Sequence, residues 1–290
     1  MRIHSILYFC PMKWLIRLLN FYIEASIHVA LSAGMLTVIT MFNLDLPFDG
    51  YVCLTVFFGT IVGYNFIKYG SEARRFYVVR TRYVKSIQYF SFACFLCCVF
   101  CAIHIRLQGL MVLGGLVLLC FFYAVPLNAS VRNIRNFPGI KIFIVALVWS
   151  GATVWLPLAG NMELPVYGRV SGADMLMEGI QRFLFVIVLT IPFEIRDMAV
   201  DDLSLGTIPQ KFGVRSSKYM GTAVLLLVLL LELFKRKSSL PDFAGLSLTS
   251  VFLGVALWYS RVEQGKYYCS FWVEGIPVLW MVLLVILKGL

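Results

Sequence analysis

The chain has 290 residues, 60% of them hydrophobic and only 14% charged, with a formal net charge of +10, and its mean hydropathy is +0.86. Soluble domains carry roughly 45–50% apolar and about 25% charged residues, so soluble, disordered and fibrous classes are excluded. Segments of about ten residues with alternating polarity, the mark of an outer-membrane barrel, do not occur. What remains is an all-α, polytopic membrane helical bundle.

In chain order, residues 1–19 set Arg2, Lys13 and Arg17 among Trp14, Leu15, Leu18 and Leu19, which predicts an interfacial amphipathic segment. Residues 20–290 read as one domain. Apolar runs long enough to span a bilayer, about twenty residues each, lie near 21–42, 51–69, 86–104, 107–126, 140–160, 179–196, 219–234, 243–260 and 270–289. Nine spans follow, expected to surround a central cavity open to the cytoplasmic side. Glu24 and His28 form an i, i+4 pair in the first span. Asp45, Pro47 and Asp49 punctuate the turn after it. In the third span Cys94, Cys97, Cys98 and Cys101 share one helical face, either a packing surface of small residues or a metal site. Pro157 and Pro192 are expected to bend the fifth and sixth spans, and Glu274 lies in the ninth without an evident partner.

Lysine and arginine set orientation. Alternating the sides places 18 of the 25 basic residues with the N-terminus, which puts that end in the cytoplasm and the C-terminus outside, with a bacterial inner membrane as the expected compartment. Lys235, Arg236 and Lys237 run against the trend and weaken the case for the seventh and eighth spans. The connections 70–85, 127–139 and 197–218 are long, polar and on the cytoplasmic side. Long loops gathered on one face commonly carry function. Their arginines either attract an anionic substrate or merely set topology and touch lipid phosphates; a nucleic-acid partner is not expected.

The stretch from Phe193 to Gly213 is the most informative. Glu194, Asp197 and Asp201 fall at i, i+3 and i+7, one face of a helix. Acidic side chains near membrane depth mark an ion or substrate path by default. Oxygen-only ligands suit Mg²⁺, which keeps waters and bridges to substrate phosphates, with Arg196, Lys211 and Arg215 nearby to hold those phosphates. A solvated helix end with local salt bridges is the plainer alternative.

Asp197-x3-Asp201 followed by Gly206, Thr207 and Gly213 resembles the second aspartate-rich motif of the UbiA-type intramembrane prenyltransferases, with Ile208 and Phe212 in place of two leucines. Tyr123-Ala-Val-Pro126, then Arg132, Gly139 and Lys141, is similar to the family's Tyr-x-x-Pro and basic segment. The resemblance runs from about residue 20 to the end. The first motif departs from the pattern: Asn65 is in place, but Tyr69 and Ala73 stand where two aspartates are expected. Glu72 returns to the face of Asn65, and Lys68, Arg74 and Arg75 offer direct phosphate neutralisation.

The resemblance implies transfer of an isoprenyl group from an isoprenyl diphosphate to an aromatic or other acceptor within the bilayer. It implies Mg²⁺ as cofactor, held by Asp197 and Asp201 with Glu194 and Glu72, and catalysis centred on Asp197 and Asp201. Asn65, Lys68, Arg132, Lys141, Arg196 and Lys211 would contact the diphosphate. Tyr69 and Tyr123 would line the cavity, with Phe66, Trp149 and Trp155 as further aromatic candidates. The missing first-motif aspartates keep a second reading open, a degenerate protein that binds an isoprenoid or acts as a scaffold. A secondary transporter is the third.

Overall fold

The computed structural model describes residues 11–75, 82–125, 137–161, 170–202 and 205–289, without the side chains of residues 11–13, 70–75 and 82. Its helices are α1 (Pro11–Glu24), α2 (Ile27–Asn43), α3 (Gly50–Arg75), α4 (Arg82–Ala102), α5 (Leu107–Ala124), α6 (Lys141–Ser150), α7 (Leu156–Gly160), α8 (Gly172–Asp197), α9 (Ile208–Leu233), α10 (Leu240–Tyr259) and α11 (Ile276–Lys288). No strand occurs among the described residues. Eight helical segments are long and apolar enough to cross a membrane, and the bent pair α1–α2 makes a ninth. The protein is therefore an integral, multi-pass membrane protein.

The first expected span and the amphipathic segment before it meet differently from the sequence reading. The amphipathic helix runs on to Glu24, and α2 leaves it at 56°. Ser26, at φ 62°, breaks the helix between them. Trp14, Leu15, Ile16 and Leu18 are exposed along α1, as an interfacial helix requires. The break also separates Glu24 from His28, so they do not pair: Glu24 meets Lys266 at 3.1 Å. His28 Nε2 donates to the Phe271 carbonyl at 2.8 Å. That carbonyl can only accept, so Nδ1 is the acceptor for the Tyr22 hydroxyl at 2.9 Å.

Packing makes a bundle in which α2 runs against α3 and α11, α3 against α4, and α8 against both α6 and α9, with α10 joining α9 to α11. The fifth and ninth spans are continuous but irregular. Each contains a π-helical turn, Gly151–Trp155 and Tyr268–Val273, closely followed by a proline, Pro157 or Pro277. Proline lacks the N–H that a regular helix would use and crowds the preceding turn; the widened turns lie at that position. The cysteine face of α4 is a packing surface: Cys98 lies against Gly59 of α3, its thiol reaches the Thr55 carbonyl at 3.7 Å, and Cys94 and Cys101 are buried.

The acidic and basic residues that disturbed the charge pattern meet at one end of the bundle. Lys235 pairs with Glu178 at 2.5 Å and Glu232 at 2.8 Å, Lys237 with Asp45 at 2.9 Å, and Lys288 with Asp242 at 2.8 Å. Arg182 pairs with Glu178 at 2.9 Å. Four of the basic residues assigned to the outer side are thus neutralised, and helices seven and eight stand as α9 and α10.

Candidate functional site at the end of α8

Helix α8 starts with Ser171 accepting from the Ala173 amide and Asp174 in the first turn, and ends with Arg196 in the last, the polarity that a helix dipole favours. Its regular winding stops at Asp197. The Val200 and Asp201 amides both donate to the Asp197 carbonyl, at 2.9 and 2.7 Å. Asp201 therefore lies one hydrogen-bonded turn beyond Asp197, in the turn that closes the helix. Of the three acids, Glu194 and Asp197 belong to α8 and Asp201 to the turn that follows it. The polypeptide then runs to α9, which begins at Ile208, well before the expected 219. Thr207 and Gln210 form a capping box there, and α9 kinks at Gly213, whose φ of 81° suits glycine.

Cations and donors from several elements meet this turn. Lys141, at the start of α6, pairs with Asp201 at 3.1 Å. The guanidinium of Arg196 grips Asp197 through two hydrogen bonds, at 2.7 and 3.2 Å. Glu194 is buried and accepts from the Ile208 amide at 3.3 Å, with Lys141, Asp197 and Asp201 as its charged neighbours. The Gly139 amide donates to the Leu205 carbonyl at 2.8 Å, joining the two loops. Lys211 lies so close over Gly206 that a Cβ there would meet its side chain at 2.8 Å. Glu194, Asp197, Asp201, Lys141, Arg196 and Lys211 are thus brought together at one end of the bundle.

The carboxylates do not converge as a ready-made cage: no group of three His, Cys, Asp or Glu side chains is arranged for a metal ion among the described residues. Asp197 and Asp201 still supply an oxygen-only set a short turn apart. That chemistry fits Mg²⁺, which takes one or two carboxylates and completes its shell from water and phosphate.

Residues of the first motif have a different use. Asn65 is buried and hydrogen-bonded on every side: it donates to the Ala25 carbonyl at 3.0 Å and to Ser91 at 2.8 Å, and accepts from Ser26 at 2.8 Å. Tyr69 donates to the Glu24 carbonyl at 3.1 Å and Lys68 to the same oxygen at 3.4 Å. These side chains hold the α1–α2 break. The side chain of Glu72, and Arg132 and Pro126 entirely, lie outside the described residues. Tyr123 is buried, and the Trp149 indole donates to the Tyr64 hydroxyl at 3.0 Å.

Glu274 is the residue whose place sequence reasoning missed. It follows the π-turn of the ninth span, and its charged neighbours are Lys68 of α3 and Arg196 of α8. The only signal in the sequence was an unexplained acid inside an apolar span.

Two solved structures resemble the chain over nearly its whole length. An apo structure of a UbiA homologue from Aeropyrum pernix K1 superposes with a TM-score of 0.65 at 14% identity, covering 91% of this chain and 98% of that one. A UbiA homologue from Archaeoglobus fulgidus gives 0.50 at 12% identity, with 97% of each chain covered. No protein-family model matches the sequence, and no curated protein matches it. The similarity establishes a UbiA-type fold.

Proposed function

We propose that this chain, which carries the fold of the UbiA homologues, is a membrane prenyltransferase that ionises an isoprenyl diphosphate at the end of α8 and passes the isoprenyl group to an acceptor, aromatic or other. The observation that supports the reading is the gathering of Asp197 and Asp201 with Lys141, Arg196 and Lys211 at one end of the bundle. Asp197 and Asp201 would hold Mg²⁺. When bound, the ion supplies Lewis-acid stabilisation of the leaving pyrophosphate. Lys141, Arg196 and Lys211 orient the diphosphate and stabilise the negative charge that grows as the allylic carbon–oxygen bond breaks. Apolar helices around the site keep water from the carbocation until the acceptor attacks.

Orientation follows the same reading. Pairing of Arg182, Lys235, Lys237 and Lys288 to acids at the opposite end supports a cytoplasmic α8 end and N-terminus, since lysine and arginine left unpaired favour the cytoplasmic side.

The engagement of Asn65, Lys68 and Tyr69 at the α1–α2 break favours a second reading, a protein that binds the isoprenoid without transferring it. Release of pyrophosphate from farnesyl diphosphate, with and without Mg²⁺ and with Asp197→Ala as control, separates the two. Mg²⁺-dependent release that Asp197→Ala abolishes supports the transferase. Binding without release, in the presence of membrane extract as acceptor source, supports the second.

A further inference from the structure

One side-chain hydrogen bond crosses the bundle between α3 and α6. The Trp149 indole of α6 donates to the Tyr64 hydroxyl of α3 at 3.0 Å, and the two rings meet edge-on, with 6.5 Å between centroids and 78° between planes. The backbone of α3 packs chiefly on α2 and α4, and that of α6 chiefly on α8, so two large aromatic side chains fill the gap between the helices. Trp149 is buried, and Tyr64 is half-buried against the same core. Lys68 lies one turn along α3 on the face of Tyr64 and is exposed. From Lys141, which meets Asp201 at the candidate site, Trp149 lies eight residues further along the helix, about 12 Å along its axis.

Beyond this bridge, away from the candidate site, the fifth span is tightly enclosed. Ser150 donates to the Gly179 carbonyl of α8 at 2.8 Å. A Cβ at Gly151 would meet Leu116 of α5 at 2.5 Å, one at Gly179 would meet the Trp155 ring at 2.9 Å, and one at Gly160 would meet Val52 of α3 at 2.9 Å. Three helices thus close on the span directly after Trp149, with no free space for a methyl group at any of these glycines. Towards the candidate site the exposure rises instead, at Lys68 and at the Lys141–Asp201 pair. Space for the tail of a ligand whose head lies at Lys141 is therefore on the site's side of the bridge, and it ends at Tyr64 and Trp149.

We infer that Tyr64 and Trp149 form the floor of the isoprenyl-tail subsite and set the tail length that the protein accepts. The inference rests on the proposed function, because it needs a diphosphate anchored near Lys141. An extended carbon chain advances about 1.2 Å per bond, as an extended peptide backbone does. A geranyl tail then reaches about 10 Å from the diphosphate, a farnesyl tail about 14 Å and a geranylgeranyl tail about 19 Å. Against a floor about 12 Å along α6 from Lys141, geranyl stops short and farnesyl touches the two rings. Geranylgeranyl has to displace the rings or fold back, and forcing extra methylenes into a packed wall is unfavourable. Geranyl and farnesyl are the tails that this subsite fits.

The test is calorimetric binding of geranyl, farnesyl and geranylgeranyl thiolodiphosphates, slowly ionising analogues, and of inorganic pyrophosphate to the full chain in lipid nanodiscs, with partition into empty nanodiscs subtracted. The wild type is expected to bind the geranyl and farnesyl analogues about tenfold tighter than the geranylgeranyl one, the order of discrimination that a misfit in an apolar pocket gives. Trp149→Ala opens the floor and should tighten geranylgeranyl binding about tenfold, with pyrophosphate binding unchanged. Tyr64→Phe keeps the ring and loses only the hydroxyl, so it keeps the wild-type ranking. A folded Trp149→Ala protein that keeps the wild-type ranking, or that weakens all four ligands alike, overturns the inference and leaves the proposed function standing. Should Trp149→Ala not fold, Tyr64→Leu removes the other ring, and an unchanged ranking there overturns it. A wild type that binds pyrophosphate but does not distinguish the three tails overturns it as well. A wild type that binds none of the four ligands defeats the proposed function, and the inference falls with it.

Discussion

Lys235 reaches back across the bundle end to Glu178, Nζ to Oε2 2.5 Å, from a position 57 residues later in the chain. Both side chains are buried, 5% and 1% exposed. Lys235 also donates to Gln181 at 2.6 Å and pairs with Glu232, while Arg182 binds the other Glu178 oxygen and stacks over Trp280 at 5.2 Å from the ring centroid. Glu178 and Asp197 are 19 residues apart on α8, about 28 Å along the axis. This network therefore stands at the far end from the candidate site and fixes α8 against α2, α9 and α11.

Removing one partner of such a network leaves a buried charge uncompensated, which is strongly destabilising, by about 3–5 kcal/mol. Lys235→Met is expected to lower the apparent melting temperature in nanodiscs sharply. Lys237→Met, whose pair with Asp45 is largely exposed, should change it little, as exposed pairs contribute about 0–1 kcal/mol. Thermal unfolding followed by tryptophan fluorescence checks both.

The same pairing has a pH signature. Burial pushes the Lys235 pKa down, but Glu178 and Glu232 outweigh it and hold the ammonium above the ordinary 10.5. A raised pKa in the folded state means that the stabilisation is complete below 10.5 and disappears as pH rises through the folded value. The wild type should hold a flat melting temperature from neutrality to about pH 10 as far as this group is concerned, then lose stability above it. In Lys235→Met this alkaline component should be missing from a melting series taken between pH 7 and 12.

Asn65 makes a further prediction about the break. Its amide satisfies the Ala25 carbonyl and the Ser26 hydroxyl at the point where α1 turns away from α2. Asn65→Ala strands these buried groups, at a cost of about 1–3 kcal/mol. The expected result is a lower melting temperature together with faster proteolysis or hydrogen exchange in α1, leaving the α9–α10 region protected. Loss of diphosphate binding with unchanged α1 protection would instead make Asn65 a ligand-binding residue.

How much of this was legible in the sequence depended on range. The apolar runs gave the nine spans because crossing a bilayer imposes a length on each segment by itself. The Asp197–Asp201 stretch with Gly206, Thr207 and Gly213 was readable because a loop and a cap use local residue types. Ser26, by contrast, gives no local sign of a helix break; its left-handed conformation is held by Asn65, 39 residues away. Glu274 looked orphaned because its charged neighbours, Lys68 and Arg196, come from two other helices. Lys235 looked like a violation of topology for the same reason.

The Lys141–Asp201 pair separates architecture from chemistry in that turn. The two side chains are about one-fifth exposed and meet at 3.1 Å, joining the start of α6 to the end of α8. Lys141→Met and Asp201→Asn each break the pair and should lower the melting temperature modestly. The exchanged variant, Lys141→Asp with Asp201→Lys, restores an ion pair of opposite polarity and should recover most of that loss. If Asp201 serves only to tie the loops, pyrophosphate release recovers as well. If its carboxylate holds Mg²⁺ and Lys141 meets the phosphate, the exchanged protein is stable yet slower by about a hundredfold or more, since a cation at 201 repels the metal and an anion at 141 repels the diphosphate. Melting temperature and pyrophosphate release from farnesyl diphosphate, measured on the same nanodisc preparations, decide between these outcomes.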